Sequence, residues 1–168
     1  MSAEPKPKAA KKKKRRRAPA EEFVQYVVAI DGWDWGYTLL LNDDKRPTDP
    51  YHEFRHLQIS GRLLRPGGLK TDRVELALLP TNDMSEEKRK AYDPIALGSL
   101  DALPGIIRGS IGIPSDALTP ILQMLIAKEL KFILMTGSKF RHRSARLTGL
   151  RLEMKLTEDD LPADDAAT

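Results

Sequence analysis

A period of two in the apolar residues begins at residue 22 and continues through most of the chain, and no other feature limits the fold so strongly. Successive side chains of a β-strand point to opposite faces, so this period predicts strands with one buried face. The clearest example is residues 56–65, HLQISGRLLR, which a Pro-Gly-Gly turn separates from a second alternating run at 72–80. These two runs should pair as a β-hairpin.

Other segments carry the same alternation or a short apolar run, bounded by turn signals. We expect Asp31-Gly32 to end a first strand, and Gly137-Ser138 to form a turn before the last one. The remaining strand candidates are 22–30, 33–42, 95–100, 106–113, 131–136 and 146–156.

One segment, residues 115–130, changes from the strand period to helical spacing. Its apolar residues fall on one helix face, namely Leu118, Ile121, Leu122, Leu125 and Ile126. Pro120 fits near the start of such a helix, where Ser115 or Thr119 could serve as the N-cap. A short helix is also expected within the polar stretch 82–92.

Length and composition indicate one domain with one core. A chain of 168 residues that is 40% hydrophobic has enough apolar material for this without a metal or disulfides. The absence of cysteine excludes disulfides, thiolate nucleophiles and cysteine-ligated zinc. Together with the strand pattern, this predicts a mainly β fold: a single antiparallel β-sandwich-like domain of seven or eight strands with one amphipathic helix.

Charge is distributed unevenly along the chain. Residues 1–20 carry nine Lys or Arg and one acid, a net charge of +8, whereas residues 158–168 carry five acids and no base. The stretch between them is near neutral, with 19 bases and 18 acids. Since the first 20 residues include no aromatic or β-branched side chain, we expect a disordered polybasic arm at 1–21, a folded domain at 22–157 and a disordered acidic tail at 158–168.

The arm contains the strongest functional signal, a run of seven consecutive cations. Such a run binds the phosphate backbone of DNA or RNA by releasing counterions, without sequence preference. Membrane insertion is not expected, because after Met1 the only apolar residues of the arm are alanine and proline. The predicted nucleic-acid-binding residues of the arm are Lys11, Lys12, Lys13, Lys14, Arg15, Arg16 and Arg17.

A second basic segment occupies residues 139–147. On a strand, Lys139, Arg141 and Arg143 would share one face, and His142 would point to the other. A row of cations at this spacing suits contact with successive phosphates, and the alternative is a solvated strand end. We add these three cations to the predicted nucleic-acid-binding residues.

Three aromatic residues, Trp33, Trp35 and Tyr37, alternate along one predicted strand. An exposed ladder of this type stacks sugars or unpaired bases, which gives an alternative function as a carbohydrate-binding β-sandwich module. The same face continues with Leu39 and Leu41, which favours burial in the core. We therefore expect a core face, with Trp33 the most exposed of the three aromatic residues.

Residues 52–56 match the pattern H-E-x-x-H, which zinc peptidases carry on a helix. A helix would place His52 and His56 on one face with Glu53 as general base, which gives a second alternative, a zinc-dependent hydrolase. However, the segment runs directly into the alternating stretch that starts at Leu57, and a strand would separate the three side chains. We therefore expect no metal site here.

Other catalytic motifs are missing from the sequence. It has no G-x-x-x-x-G-K loop, no G-x-G-x-x-G and no G-x-S-x-G. We expect a non-enzymatic binding or accessory protein, without catalytic residues or a cofactor, that its arm tethers to nucleic acid. The expected location is cytoplasmic or nucleoid-associated, or nuclear in a eukaryote. A homodimer through the apolar helix is compatible with the pattern.

Overall fold

The computed structural model describes residues 22–41, 50–81 and 96–160, and in it seven strands form one closed barrel. The strands are β1 (Phe23–Leu41), β2 (Tyr51–Arg65), β3 (Arg73–Thr81), β4 (Gly98–Leu103), β5 (Ile106–Pro114), β6 (Phe132–Ser138) and β7 (Ser144–Glu153). Their order around the barrel is β1-β2-β3-β5-β4-β7-β6, and β6 closes it by pairing with β1. One α-helix of the described residues, α1 (Leu118–Ile126), lies between β5 and β6. The predicted mainly β fold with an amphipathic helix is confirmed.

The sheet closes on itself, whereas a sandwich would have two facing sheets. Neighbouring strands are antiparallel except β3 and β5, which run parallel from Val74↔Ile107 to Thr81↔Pro114. Closure pairs the first and last strands of the sheet, so the described barrel has no edge strand. A period of two marks the inward face of strands in both architectures, so it did not discriminate between them.

The inward faces of the strands supply the core. Tyr26 is buried there, with its hydroxyl donating to the carbonyl oxygen of Ser138 at 2.7 Å and its ring meeting Phe140 edge-on at a centroid distance of 5.6 Å. This burial raises the pKa of Tyr26 above its ordinary value. Other fully buried side chains are Leu57, Ile59, Leu76, Leu78, Leu100, Ile107, Ile111, Ile133, Met135 and Leu147.

The two strands predicted at the start of the domain are one strand. Asp31-Gly32 does not end β1, which continues through it for 19 residues with a register shift between Ile30 and Gly32. A shift of this kind bends a strand without breaking it. The predicted hairpin of β2 and β3 is confirmed, with antiparallel pairing of residues 57–62 to residues 73–78.

The predicted second turn and helix caps are wrong. Gly137-Ser138 lies inside β6 and pairs with β1. The N-cap of α1 is Ala117, without a side-chain cap hydrogen bond. Ser115 instead belongs to a 3-10 turn (Ser115–Ala117) that leads into α1, and Thr119 lies within the helix. Because the 3-10 turn continues directly into α1, the helix begins at Leu118, between the two predicted cap positions.

The described structure continues beyond residue 157 as far as Asp160. Glu158–Asp160 form a 3-10 turn in which the Asp160 side chain is buried and accepts hydrogen bonds from the backbone N–H and the hydroxyl of Thr157 and from Arg151. The Thr157 bonds and the Arg151 guanidinium lower the pKa of Asp160 to about 2. Of the three described residues of the predicted acidic tail, Asp160 therefore attaches to β7 through Arg151, whereas Glu158 and Asp159 are exposed.

The barrel has two different ends. The arm end carries Glu22, the β2–β3 loop at 66–72, the β4–β5 turn at 104–105 and the β6–β7 turn at 139–143. The helix end carries α1 and the outer halves of β1 and β2. The helix predicted within 82–92 lies outside the described residues.

Candidate functional sites

The three cations that were predicted to form a row lie in the tight turn between β6 and β7, residues 139–143, which we call the cationic turn. Between β6 and β7 the chain reverses at His142-Arg143, whose φ angles are 51° and 70°. Arg141 and Ser144 exchange two backbone hydrogen bonds across the turn, at 2.8 and 3.0 Å. Positive φ at both central residues is the geometry of a type I′ turn, in which Asn and Gly are preferred. Lys139, Arg141 and Arg143 are all exposed, but they surround a hairpin tip and do not form a row on one strand face.

Glu22, the first described residue, contacts the cationic turn. The backbone N–H of Lys139 donates to the carbonyl oxygen of Glu22 at 3.2 Å, and the Lys139 Nζ lies 3.7 Å from the Glu22 Oε2. Residues 1–21 directly precede Glu22, so the polybasic segment joins the barrel beside Lys139. The predicted arm residues, 11–17, lie outside the described residues themselves.

A cavity of about 460 Å³ lies next to the cationic turn. The β2–β3 loop, the β4–β5 turn and the β6–β7 turn enclose it, and the hydroxyl of Thr71 links two of them by donating to the carbonyl oxygen of Gly105 at 3.0 Å. Its lining is mostly apolar, with Lys70 and Arg143 as the two cationic side chains. Sequence reasoning did not identify Lys70 as part of this site, because it lies 73 positions before Arg143 in the sequence. Only the folded barrel places both side chains at one cavity.

Not every cation at the arm end is equally accessible to an anion. Arg73 and Arg108 both contact Glu75, at 3.1 and 3.2 Å, so this carboxylate partly neutralises them. In contrast, Arg141 and Arg143 form no ion pair with any described residue. Arg141 and Arg143 are therefore cations of this end at which an added anion displaces no internal partner.

The H-E-x-x-H segment lies in β2 and is extended. Four residues of strand separate His52 and His56 by about 13 Å and place Glu53 on the opposite face. Glu53 is paired with Arg55, with 2.6 Å between Oε1 and Nη2. No group of three or more His, Cys, Asp or Glu residues suited to a metal ion occurs in the described ranges. The helical arrangement that a zinc peptidase of this type needs is not formed.

The outer halves of β1 and β2 leave the barrel as a two-stranded unit, residues 33–41 and 51–56, which we call the ribbon. β6 pairs with β1 only over residues 23–29, and β3 pairs with β2 only from Leu57 onward. Within the ribbon the two strands remain paired as far as Leu41↔Tyr51. Its two outer edges have no strand neighbour in the described part of the chain.

The aromatic ladder lies on the ribbon and is exposed, so the predicted core face is wrong. Trp33, Trp35 and Tyr37 are 40%, 45% and 48% exposed, and Trp33 is the least exposed of the three. The Trp35 and Tyr37 rings are stacked, with centroids 6.1 Å apart. Trp33 and Trp35 pair with Ile59 and Leu57, which face the barrel interior. The ladder thus continues the inward face beyond the point where the barrel wall ends, and no strand of residues 22–41, 50–81 or 96–160 covers it.

No protein-family model matches this chain, and no curated protein or solved structure does either. Among the described residues, no helix is both long enough and apolar enough to cross a membrane. Function must therefore be inferred from the geometry and charge of the chain itself.

Proposed function

We propose that this protein is a non-enzymatic accessory protein that binds nucleic acid, with the polybasic arm and the arm end of the barrel contacting the phosphate backbone together. The contact between Glu22 and Lys139 carries this proposal, because it joins the basic segment to the barrel beside the cationic turn. Arg17, the last cation of the run, is five residues from Glu22, so an extended chain keeps the two within about 18 Å. One nucleic acid can therefore contact both.

The two parts have different roles. The seven consecutive cations supply affinity through counterion release, which needs no fixed structure. The cationic turn supplies a fixed contact, because Arg141 and Arg143 are exposed and their backbone is held by two hydrogen bonds to the start of β7. Contacts to phosphates position a protein without reading sequence, so we expect little base preference.

A salt titration tests the proposal. Full-length protein should bind duplex DNA and RNA, and log affinity should fall linearly with log salt, with a slope of about −6 on duplex DNA if the seven cations each contact a phosphate. Deleting residues 1–20 should remove most of this slope and leave the melting temperature unchanged. Failure of the full-length protein to bind any nucleic acid at low salt would contradict the proposal.

A pair of triple variants in the protein without residues 1–20 tests the turn. Alanine at Lys139, Arg141 and Arg143 should abolish the residual binding. The matched control replaces three exposed cations at the helix end and should retain it, namely Lys128, Lys131 and Lys155. Equal losses in both variants would show that only net charge matters and that the turn is not a site.

The exposure of the aromatic ladder favours a second candidate function, carbohydrate binding. Sugars stack on exposed aromatic rings, and the near-parallel rings of Trp35 and Tyr37 are both about half exposed. Trp33 and Trp35 are the only tryptophans of the chain, so their fluorescence reports directly on this surface. A panel of oligosaccharides should change the emission of the wild type and not that of a Trp35→Ala variant. No response to any sugar would reject this candidate.

A further inference from the structure

The apolar surface of the ribbon is larger than the aromatic ladder. Eight large apolar side chains of the ribbon are 40–73% exposed, namely Trp33, Trp35, Tyr37, Leu39, Leu40, Leu41, Tyr51 and Phe54. An aromatic side chain has about 150–250 Å² of surface, so the five aromatic residues alone present roughly 500 Å² to solvent. Apolar exposure of this extent, increased further by three leucines, indicates an interaction site.

These side chains occupy both faces of the ribbon. Leu39 and Leu41 share the face of the ladder with Tyr51, whereas Leu40 and Phe54 lie on the opposite face. Six of the eight apolar side chains therefore lie on the ladder face. A two-stranded hairpin is also marginally stable by itself in water, so a partner that covers the ribbon would stabilise it.

We propose that the ribbon is a dimerisation element, which packs against the ribbon of a second copy of this chain about a twofold axis. In a twofold interface a patch on one copy contacts the same patch on the other copy. A single apolar face on each chain is therefore sufficient to form the interface. The unpaired outer edge of residues 33–41 adds backbone donors and acceptors that a second ribbon can satisfy. This inference is independent of the proposed nucleic-acid binding.

The area and charge of the ribbon suit a second copy. A standard interface buries about 800 Å² on each partner, and the four aromatic rings and two leucines of the ladder face supply a large part of this value. The charged side chains of the ribbon are Asp34, Glu53 and Arg55, and the last two are already paired with each other. Two ribbons therefore meet without the strong repulsion that two +8 arms would have.

The leucines favour this partner over a sugar. Leu39, Leu40 and Leu41 are 51%, 56% and 73% exposed, more than the rings of the ladder. They have no aromatic face for a sugar to stack on, and they would stay in water beside a bound sugar. A second ribbon on the ladder face covers the rings of that face together with Leu39 and Leu41, which removes them from water.

The mass of the full-length protein in solution tests the proposal. After nuclease treatment, and in about 0.5 M salt to screen the arms, sedimentation at micromolar concentration should give the mass of two chains, twice 18.9 kDa. The double variant Leu39→Lys with Leu41→Lys should be a single chain with unchanged circular dichroism. The matched control is Phe23→Lys with Leu103→Lys, which replaces two exposed apolar residues at the arm end and should remain dimeric.

Tryptophan fluorescence gives a second readout, because both tryptophans lie on the ribbon. Emission should shift to longer wavelength when the wild type is diluted into the single-chain state. If the double variant does not fold, the single variant Leu41→Lys is used instead, because Leu41 is the most exposed of the large apolar side chains of the ribbon. A wild type that is a single chain at all concentrations would overturn the proposal, whether or not a sugar or another protein occupies the ribbon. A dimer that survives the ribbon substitutions, or that the control also abolishes, would overturn it as well.

Discussion

The imidazole of His56 lies across Gly36, its partner on the neighbouring strand of the ribbon. A Cβ atom at position 36 would lie 2.2 Å from the His56 Cε1, so the ring fills the space that a side chain would need. The Phe54 ring contacts the imidazole with a centroid distance of 5.4 Å, and the His56 Nδ1 is buried without a hydrogen-bond partner among the described residues. A ring packed over a strand glycine pins the register of the two strands, so this histidine of the H-E-x-x-H motif has a structural place in the ribbon.

A double-mutant cycle tests this pair. Gly36→Ala should lower the free energy of unfolding by about 1–3 kcal/mol, because the new methyl group overlaps the imidazole. In a His56→Ala background the same substitution should stabilise by about 0.5–1 kcal/mol, since alanine loses less conformational freedom in a strand than glycine. Denaturant unfolding of the four proteins at one concentration measures both effects. The same sign in both backgrounds would show that the ring does not occupy this space.

The His142-Arg143 turn should show opposite effects on stability and binding. A left-handed backbone costs roughly 1–2 kcal/mol at a residue other than glycine, so replacing the pair with Asn-Gly should raise the free energy of unfolding by about this amount. The same change removes the cation of Arg143, so nucleic-acid affinity of the protein without residues 1–20 should fall. Arg143→Lys is the control, because it keeps both the charge and the unfavourable φ. Destabilisation by Asn-Gly would contradict the turn geometry.

Asp160 should make stability depend on pH in the acid range. Its pKa is about 2 in the folded protein and 3.8 ordinarily, so the folded state favours the charged form. The resulting stabilisation is complete above about pH 5 and is lost progressively as the pH falls from about 5 to 1. Urea midpoints of Asp160→Asn should therefore fall less over this range than those of the wild type. The exposed neighbour provides the control, and Asp159→Asn should keep the steeper wild-type dependence.

Two leucines of β2 should differ strongly in their contribution to stability. Leu57 is fully buried in the barrel, and its truncation to alanine should cost about 2–5 kcal/mol because it leaves a cavity. Leu64 is 39% exposed on the same strand, and Leu64→Ala should cost much less. Thermal or denaturant unfolding compares the two. Equal losses would mean that the inward face of β2 is not the one described.

Local pattern was sufficient for the elements whose neighbours are close in sequence. The alternation of residues 56–65 and 72–80 around a Pro-Gly-Gly turn predicted the β2–β3 hairpin, and the change of period after Pro114 predicted α1. A period of two identifies which residues share a face, and turn residues identify where a chain can reverse. Both are properties of a few adjacent residues, so they can be read without knowledge of the rest of the fold.

Long-range pairing decided what covers each face and which loops meet. The ladder of Trp33, Trp35 and Tyr37 has the alternation of a core strand. It is nevertheless exposed, because β6 pairs with β1 only as far as Ala29. The parallel pairing of β3 with β5, the closure of the barrel by β6 and the approach of Lys70 to Arg143 likewise join segments distant in sequence. The free energy of such contacts arises only when the whole barrel is assembled, so no local pattern of residues reports them.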